Sequence, residues 1–268
     1  MRFMRAFCCV VIALLLSSCN FKLKILEEDA ESDNIEIQRY DRLQSLYLTT
    51  GDFSALQQMS TDYPIETRTL LEKVLGLGEV SDPEINSRFL TYFQDSTLQV
   101  IISDAEVMYA NMDDLNKDFT DAFNRLKVWL PDLSVPMLYA QICALHQSIV
   151  VGDQSVGISI DKYLGADYPA YQKYYPADQR KMMTRECILP ECISFYLLSQ
   201  YPLPNFSTAE QQVRDLHLAK IQWITNRAIS KRFFKSTYIN VFDKYMARHP
   251  DTTVAQLMGN TNYEKFLK

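Results

Sequence analysis

Apolar residues recur at intervals of three and four through most of the chain, a period that predicts helices with one short interruption near the middle. Phe53, Leu56, Met59 and Tyr63 form the first such series. Asp52 stands where its carboxylate can accept the unbonded N–H groups of a helix start, and Pro64 interrupts the run. A helix is expected from Ile65 to about Leu75, closed by Gly76 and Gly78. Ser81-Asp82-Pro83-Glu84 reads as another helix start, because proline lacks an N–H that the first turn leaves unbonded and carboxylates suit the positive end of the dipole. Phe89, Leu90 and Phe93 supply its apolar face. Helices over 97–109 and 112–130 follow, the second with Leu115, Phe119, Ala122, Phe123, Leu126 and Leu130 on one side before Pro131.

The period changes at Leu133. Val135, Met137 and Tyr139 alternate with other residues, Ser148 to Val151 is short and β-branched, Gly152-Asp153 is a turn, and Val156, Ile158 and Ile160 alternate again. These runs predict a small antiparallel sheet over about residues 133–161. Ile35, Ile37 and Tyr40 alternate too and suggest a short edge strand. Beyond Cys192 the helical period returns. Ser207-Thr208-Ala209-Glu210 has capping-box spacing for a helix to about Ile229. Another helix is expected over Ser236 to Arg248, and one or two more between Thr252 and Leu267. The expected fold class is α+β and predominantly α-helical, with two helical halves around the small sheet. No repeat of solenoid length occurs.

Residues 1–18 read as a lipoprotein signal peptide. Arg2 and Arg5 form a basic start, Ala6 to Leu16 an apolar run too short to span a membrane, and Leu16-Ser17-Ser18-Cys19 has the lipobox form. Processing would leave Cys19 as the acylated first residue, so the chain is expected to be held to a lipid bilayer through that thiol. Residues 19–34 are rich in charge and read as a lipid-anchored tether, followed by a single globular domain over 35–268. Asn20 is not the aspartate that marks inner-membrane retention in some bacteria, which favours the outer membrane, facing the periplasm.

Charge then narrows the partners. The 27 Lys and Arg, less Arg2 and Arg5 of the leader, stand against 33 Asp and Glu, leaving a net charge of about −8. That balance argues against a nucleic-acid partner, which requires a basic footprint. Envelope proteins are the expected partners. Among the cysteines outside the leader and Cys19, Cys143, Cys187 and Cys192 remain. An exported setting permits a Cys187–Cys192 bridge where Pro190 is expected to break the helix, whereas residues five apart on a regular helix face different sides, which leaves buried free thiols as the other reading.

Enzyme signatures are sparse. His146, His217 and His249 include no pair four residues apart, so no two histidines share a helix face as zinc hydrolases require. There is no Gly-x-Ser-x-Gly elbow and no phosphate loop, and no histidine stands near Cys187 or Cys192. No cofactor and no catalytic residue is assigned. A metal-dependent or carboxylate-based hydrolase stays open as the alternative, because 33 acidic residues always offer pairs. Tyr163, Tyr168, Tyr171, Tyr174 and Tyr175, with Pro169 and Pro176, form the densest cluster. Two readings fit them: rings covering the sheet, or, together with Asp161, an exposed partner-binding surface. A small-ligand pocket beside them is a third possibility for function.

The same stretch carries a resemblance. GISIDKYLGADYPAYQKYYPADQRKMMTRECILPEC is similar to the central motif of the GldB family of gliding-motility lipoproteins of the Bacteroidetes, in which a β-run enters an Asp-x-Tyr-Leu-Gly turn. IEIQRYDRL resembles that family's opening strand, and VFDKYMARHPDTTVAQLMGNTNYEKFL its end. The segment between Lys220 and Tyr245 looks shorter than in the family, as in a reduced, divergent member. The family in turn resembles zincin-like peptidases whose His-Glu-x-x-His helix would fall near LPECISFYLLSQ. Here Glu191, Cys192 and Phe195 stand in that region without a histidine. The resemblance therefore implies a zincin-like fold lacking its metal site, in a non-enzymatic envelope lipoprotein serving gliding or the linked secretion machinery.

Overall fold

The structure is a computed structural model that describes residues 34–267. The expected leader, Cys19 and all of the tether except Asn34 lie outside the described residues. The chain first forms α1 (Tyr40–Thr50), α2 (Phe53–Asp62), α3 (Pro64–Arg68), which runs into a π-helical turn over Thr69–Val74, α4 (Ile85–Tyr92), α5 (Ser96–Met108) and α6 (Asp113–Trp129). Strands β1 (Met137–Gln141), β2 (Ile149–Val151) and β3 (Ser155–Ser159) follow. The second half holds α7 (Pro169–Tyr174), α8 (Ala177–Arg180), α9 (Ile188–Gln200), α10 (Gln211–Ala228), α11 (Thr237–Arg248), α12 (Val254–Gly259) and α13 (Glu264–Leu267). The protein is thus predominantly α-helical with a small sheet, and no described helix is long and apolar enough to cross a membrane.

Local chemistry explains several boundaries. Asp52 accepts the Ser54 and Ala55 N–H groups at 2.7 and 3.4 Å, a cap worth about 1 kcal/mol. Gly76 ends the third helical stretch at a φ of 64°, the left-handed value that glycine adopts without a Cβ clash. Two expectations change. Ser207 is no cap: residues 205–209 form turns and α10 starts at Gln211, while the capping box lies at Thr253 and Gln256. Pro190 does not break a helix. It stands in the first turn of α9, where the missing N–H costs nothing.

The sheet order is β1-β3-β2, and it is mixed where an antiparallel sheet was expected. β2 and β3 form the antiparallel hairpin about Gly152-Asp153, whereas β1 pairs with β3 in parallel, Tyr139 opposite Gly157. The seven-residue link from β1 to β2 carries the chain past β3, so β3 becomes the middle strand. Gly157 is required there: a Cβ would come within 2.6 Å of the Tyr139 ring and hydroxyl. The expected edge strand reduces to one bridge, Gln38 to Tyr139, and the Ile35 and Ile37 N–H groups bond to Thr120 and Asn116 on α6 instead. α1 packs on β1, and α9 packs on β2 and β3. Residues 138–141 are all buried, so both sheet faces are covered. α9 in turn contacts α6 and α10, so it lies between the sheet and those two helices.

Candidate functional site

Where β3 ends, a 3-10 turn over Ile160–Lys162 sends consecutive side chains to different structures. Asp161 is fully buried and accepts the backbone N–H groups of Cys143 and Leu145 at 3.1 and 2.7 Å. Burial raises its pKa, opposed by those N–H bonds and by the Lys162 charge. Between the two bonded amides the chain is strained: Ala144 and Leu145 have φ of 51° and 65°, a region that costs a non-glycine residue about 1 kcal/mol or more. Lys162 and the Tyr175 hydroxyl both donate to the Leu145 carbonyl, at 3.2 and 2.9 Å. Tyr171 donates to the Asp161 carbonyl and accepts from the Leu164 N–H at 3.0 Å. A loop in this conformation needs such a network, because each bond restrains a backbone that sterics alone would relax.

The six residues expected to form a partner surface therefore separate. Asp161, Tyr163 and Tyr171 are buried, Tyr168 and Tyr175 are half-buried, and Tyr174 is exposed. Tyr168 donates to Asp104 of α5 at 2.7 Å. Burial withdraws the first three from any direct contact with a partner. Tyr174 and Tyr175 instead edge a hollow of about 350 Å³ that also includes Leu145 and His146.

Tyr163 links this network to a second feature. Its carbonyl accepts from Tyr109 at 2.7 Å, and its hydroxyl donates to Glu191 Oε2 on α9 at 2.6 Å. Glu191 lines a groove of about 600 Å³ between α9 and α10, with Phe195, Phe206, Leu218 and Phe234 among its apolar walls and Arg214, Asp215 and His217 among its polar ones. Burial raises the Glu191 pKa, while the Tyr163 bond and the Lys162 charge lower it. His217, only 5% exposed, meets the Tyr263 hydroxyl through Nδ1 at 2.6 Å. Its pKa falls to about 4 through burial and then the Lys220 charge, against an opposing pull from the Tyr201 carbonyl. Nε2 makes no well-formed hydrogen bond. Lys220, buried beneath, donates to the Met258 and Asn260 carbonyls at 3.0 Å each, and burial pushes its pKa down to about 8.

The expected peptidase-site region thus falls on the α9 wall of the groove, though its members diverge: Glu191 is half-buried, Phe195 exposed, and Cys192 a fully buried thiol. Cys143 and Cys187 are likewise buried and free. The three histidines are engaged separately, His146 with Tyr92, His217 with Tyr263 and His249 with the Tyr245 carbonyl. Among the described residues no group of three His, Cys, Asp or Glu side chains is placed to share a cation.

The sequence model of the family described as gliding motility protein GldB matches residues 24–228. The chain belongs to the GldB family. The strained loop, the sheet and both helices of the groove lie inside the matched span of this GldB member, whereas Phe234, Tyr263 and the closing segment lie beyond it. No match was found among curated proteins or among solved structures. Sequence reasoning missed Lys162 and Lys220, and it weighed His217 only as one of three scattered histidines. A lysine inside an otherwise apolar helical face, as at Lys220, was the available signal. Nothing local marked Ala144 and Leu145 as left-handed.

Proposed function

We propose that this GldB-family protein is a lipid-anchored, non-enzymatic component of the cell envelope that serves gliding motility or the linked secretion machinery by binding other envelope proteins. The family match over residues 24–228 carries this reading. The lipobox ending at Cys19 supports anchoring, and its following Asn20 favours the outer membrane, facing the periplasm. The exposed Phe195, Phe206 and Leu218 around one groove support a binding role, because apolar side chains gathered at one concavity are solvated poorly until covered.

Deleting the gene in its own host should abolish colony spreading, and the Cys19→Ala variant should lose membrane fractionation and fail to restore spreading. A deletion strain that spreads normally overturns the reading. One observation favours a hydrolase as the second reading: a carboxyl of raised pKa and a neutral imidazole line the same groove. Peptide or ester hydrolysis by the purified protein that disappears in Glu191→Gln would establish it.

A further inference from the structure

The groove between α9 and α10 has features that a packing seam does not need. Phe195, Phe206 and Leu218 are exposed by 46, 59 and 40%, and all three line this one hollow. Single exposed apolar residues are ordinary on a protein surface, but several around one concavity form a patch that water solvates poorly. Beside them stands Glu191. Its Oε2 takes the Tyr163 hydroxyl, and its Oε1 takes no hydrogen bond from the protein. The nearby cations are committed elsewhere. Lys162 bonds the Leu145 carbonyl and Tyr175, and Arg214 bonds Gln211 Oε1 at 2.8 Å while lying over the Phe206 ring at 5.7 Å. Among the described residues neither groove carboxyl is in an ion pair: Glu191 takes the Tyr163 hydroxyl and Asp215 takes the Gln211 amide at 2.7 Å, both neutral donors.

We propose that this groove receives a segment of a protein partner that seats an aromatic or aliphatic side chain among Phe195, Phe206 and Leu218 and sets a lysine or arginine against Glu191. The proposal rests on the reading above that the protein works by binding envelope proteins. Charge complementarity selects the basic residue: a cation at Oε1 would form a charge-assisted hydrogen bond to a carboxyl that burial now leaves under-solvated. The shape selects a chain segment. The groove runs between two helices, and a segment lying along them covers the exposed rings. Aromatic walls also favour a cation, since their ring faces attract positive charge.

The test uses the full chain in its own cells, with the photo-crosslinker p-benzoylphenylalanine at position 195 or 206 and, as the control site, at Val107 on α5. Both groove positions should label the same partner segment, and mass spectrometry of the joined peptides should find an apolar residue within four positions of a lysine or arginine. The control position should not label that segment. Glu191→Gln keeps an acceptor for Tyr163 but removes the charge, and it should lower the labelling about tenfold. Leu218→Lys, a surface change, should lower it at least as far through repulsion of the basic residue. Labelling of lipid or glycan, of a segment without a basic residue, or of no partner from either groove position overturns the proposal, as does labelling that survives both variants. If deletion of the gene stops spreading while the groove fails these tests, the groove assignment alone is wrong. If deletion leaves spreading intact, the broader reading fails first.

Discussion

The loop held by Asp161 and the groove edged by Glu191 meet at Tyr163, and they handle buried charge in opposite ways. Around Asp161 every polar group is answered: both carboxylate oxygens accept backbone N–H groups, and Lys162, Tyr171 and Tyr175 complete the network. The strain at Ala144 and Leu145 persists because these bonds overdetermine the backbone. At the groove the answers are incomplete. Glu191 has one donor and three large apolar side chains face solvent. A finished network stabilises a fold, whereas the groove keeps a carboxylate oxygen and three apolar side chains open for the contact proposed above.

Asp161→Ala should break the first half of this comparison most severely. It strands two buried N–H groups beside a strained turn, and chemical denaturation should show a loss of about 3–5 kcal/mol. A loss below about 1 kcal/mol would mean that the carboxylate does not hold the loop. Tyr163→Phe cuts the connection between the two regions. We expect it to cost about 1–2 kcal/mol and to move the Glu191 titration further up, read from the carboxyl carbon shift by NMR, because the hydroxyl is the donor that lowers it.

His217 offers a pH-dependent test. Its folded pKa of about 4 lies below the ordinary 6.5, so across that window the unfolded chain binds the proton and the folded chain does not. Stability contributed by the neutral ring is therefore complete above 6.5 and is lost as pH falls toward 4. Asp161 and Glu191, both raised, act in the opposite sense, since a raised carboxyl loses stability as pH rises. The difference between wild type and His217→Gln isolates the imidazole and should flatten the fall over pH 6.5 to 4. The smallest effect belongs to the groove rim: Phe195→Ser should change stability by less than about 0.5 kcal/mol, because the ring is exposed. A larger loss would make Phe195 a packing residue and remove it from the proposed contact.

Much of the architecture was legible along the chain. The three- and four-residue period located α2, α5, α6, α10 and α11 to within a few residues, and the alternation about Met137 and Val156 with the β-branched run from Ser148 located all three strands. Strand direction was not legible, because alternation reports burial on a face and says nothing about which neighbour a strand pairs with. The Asp52 cap agrees with the sequence pattern, whereas α10 starts without a side-chain cap and the capping box belongs to α12, at Thr253 and Gln256. Capping spacing by itself cannot tell a helix start from a turn, since the same side chains bond to backbone in both.

The stretch singled out from the sequence mixes two kinds of residue. Tyr163, Tyr171 and Asp161 form internal structure, whereas Phe195 and Glu191 border the groove. The family and the helical period followed from the sequence itself, because both are properties of residue order. The groove did not. It joins Glu191 of α9 to Phe206, His217 and Leu218 of the next elements, and only the packing of α9 against α10 decides which side chains are covered and which stay open.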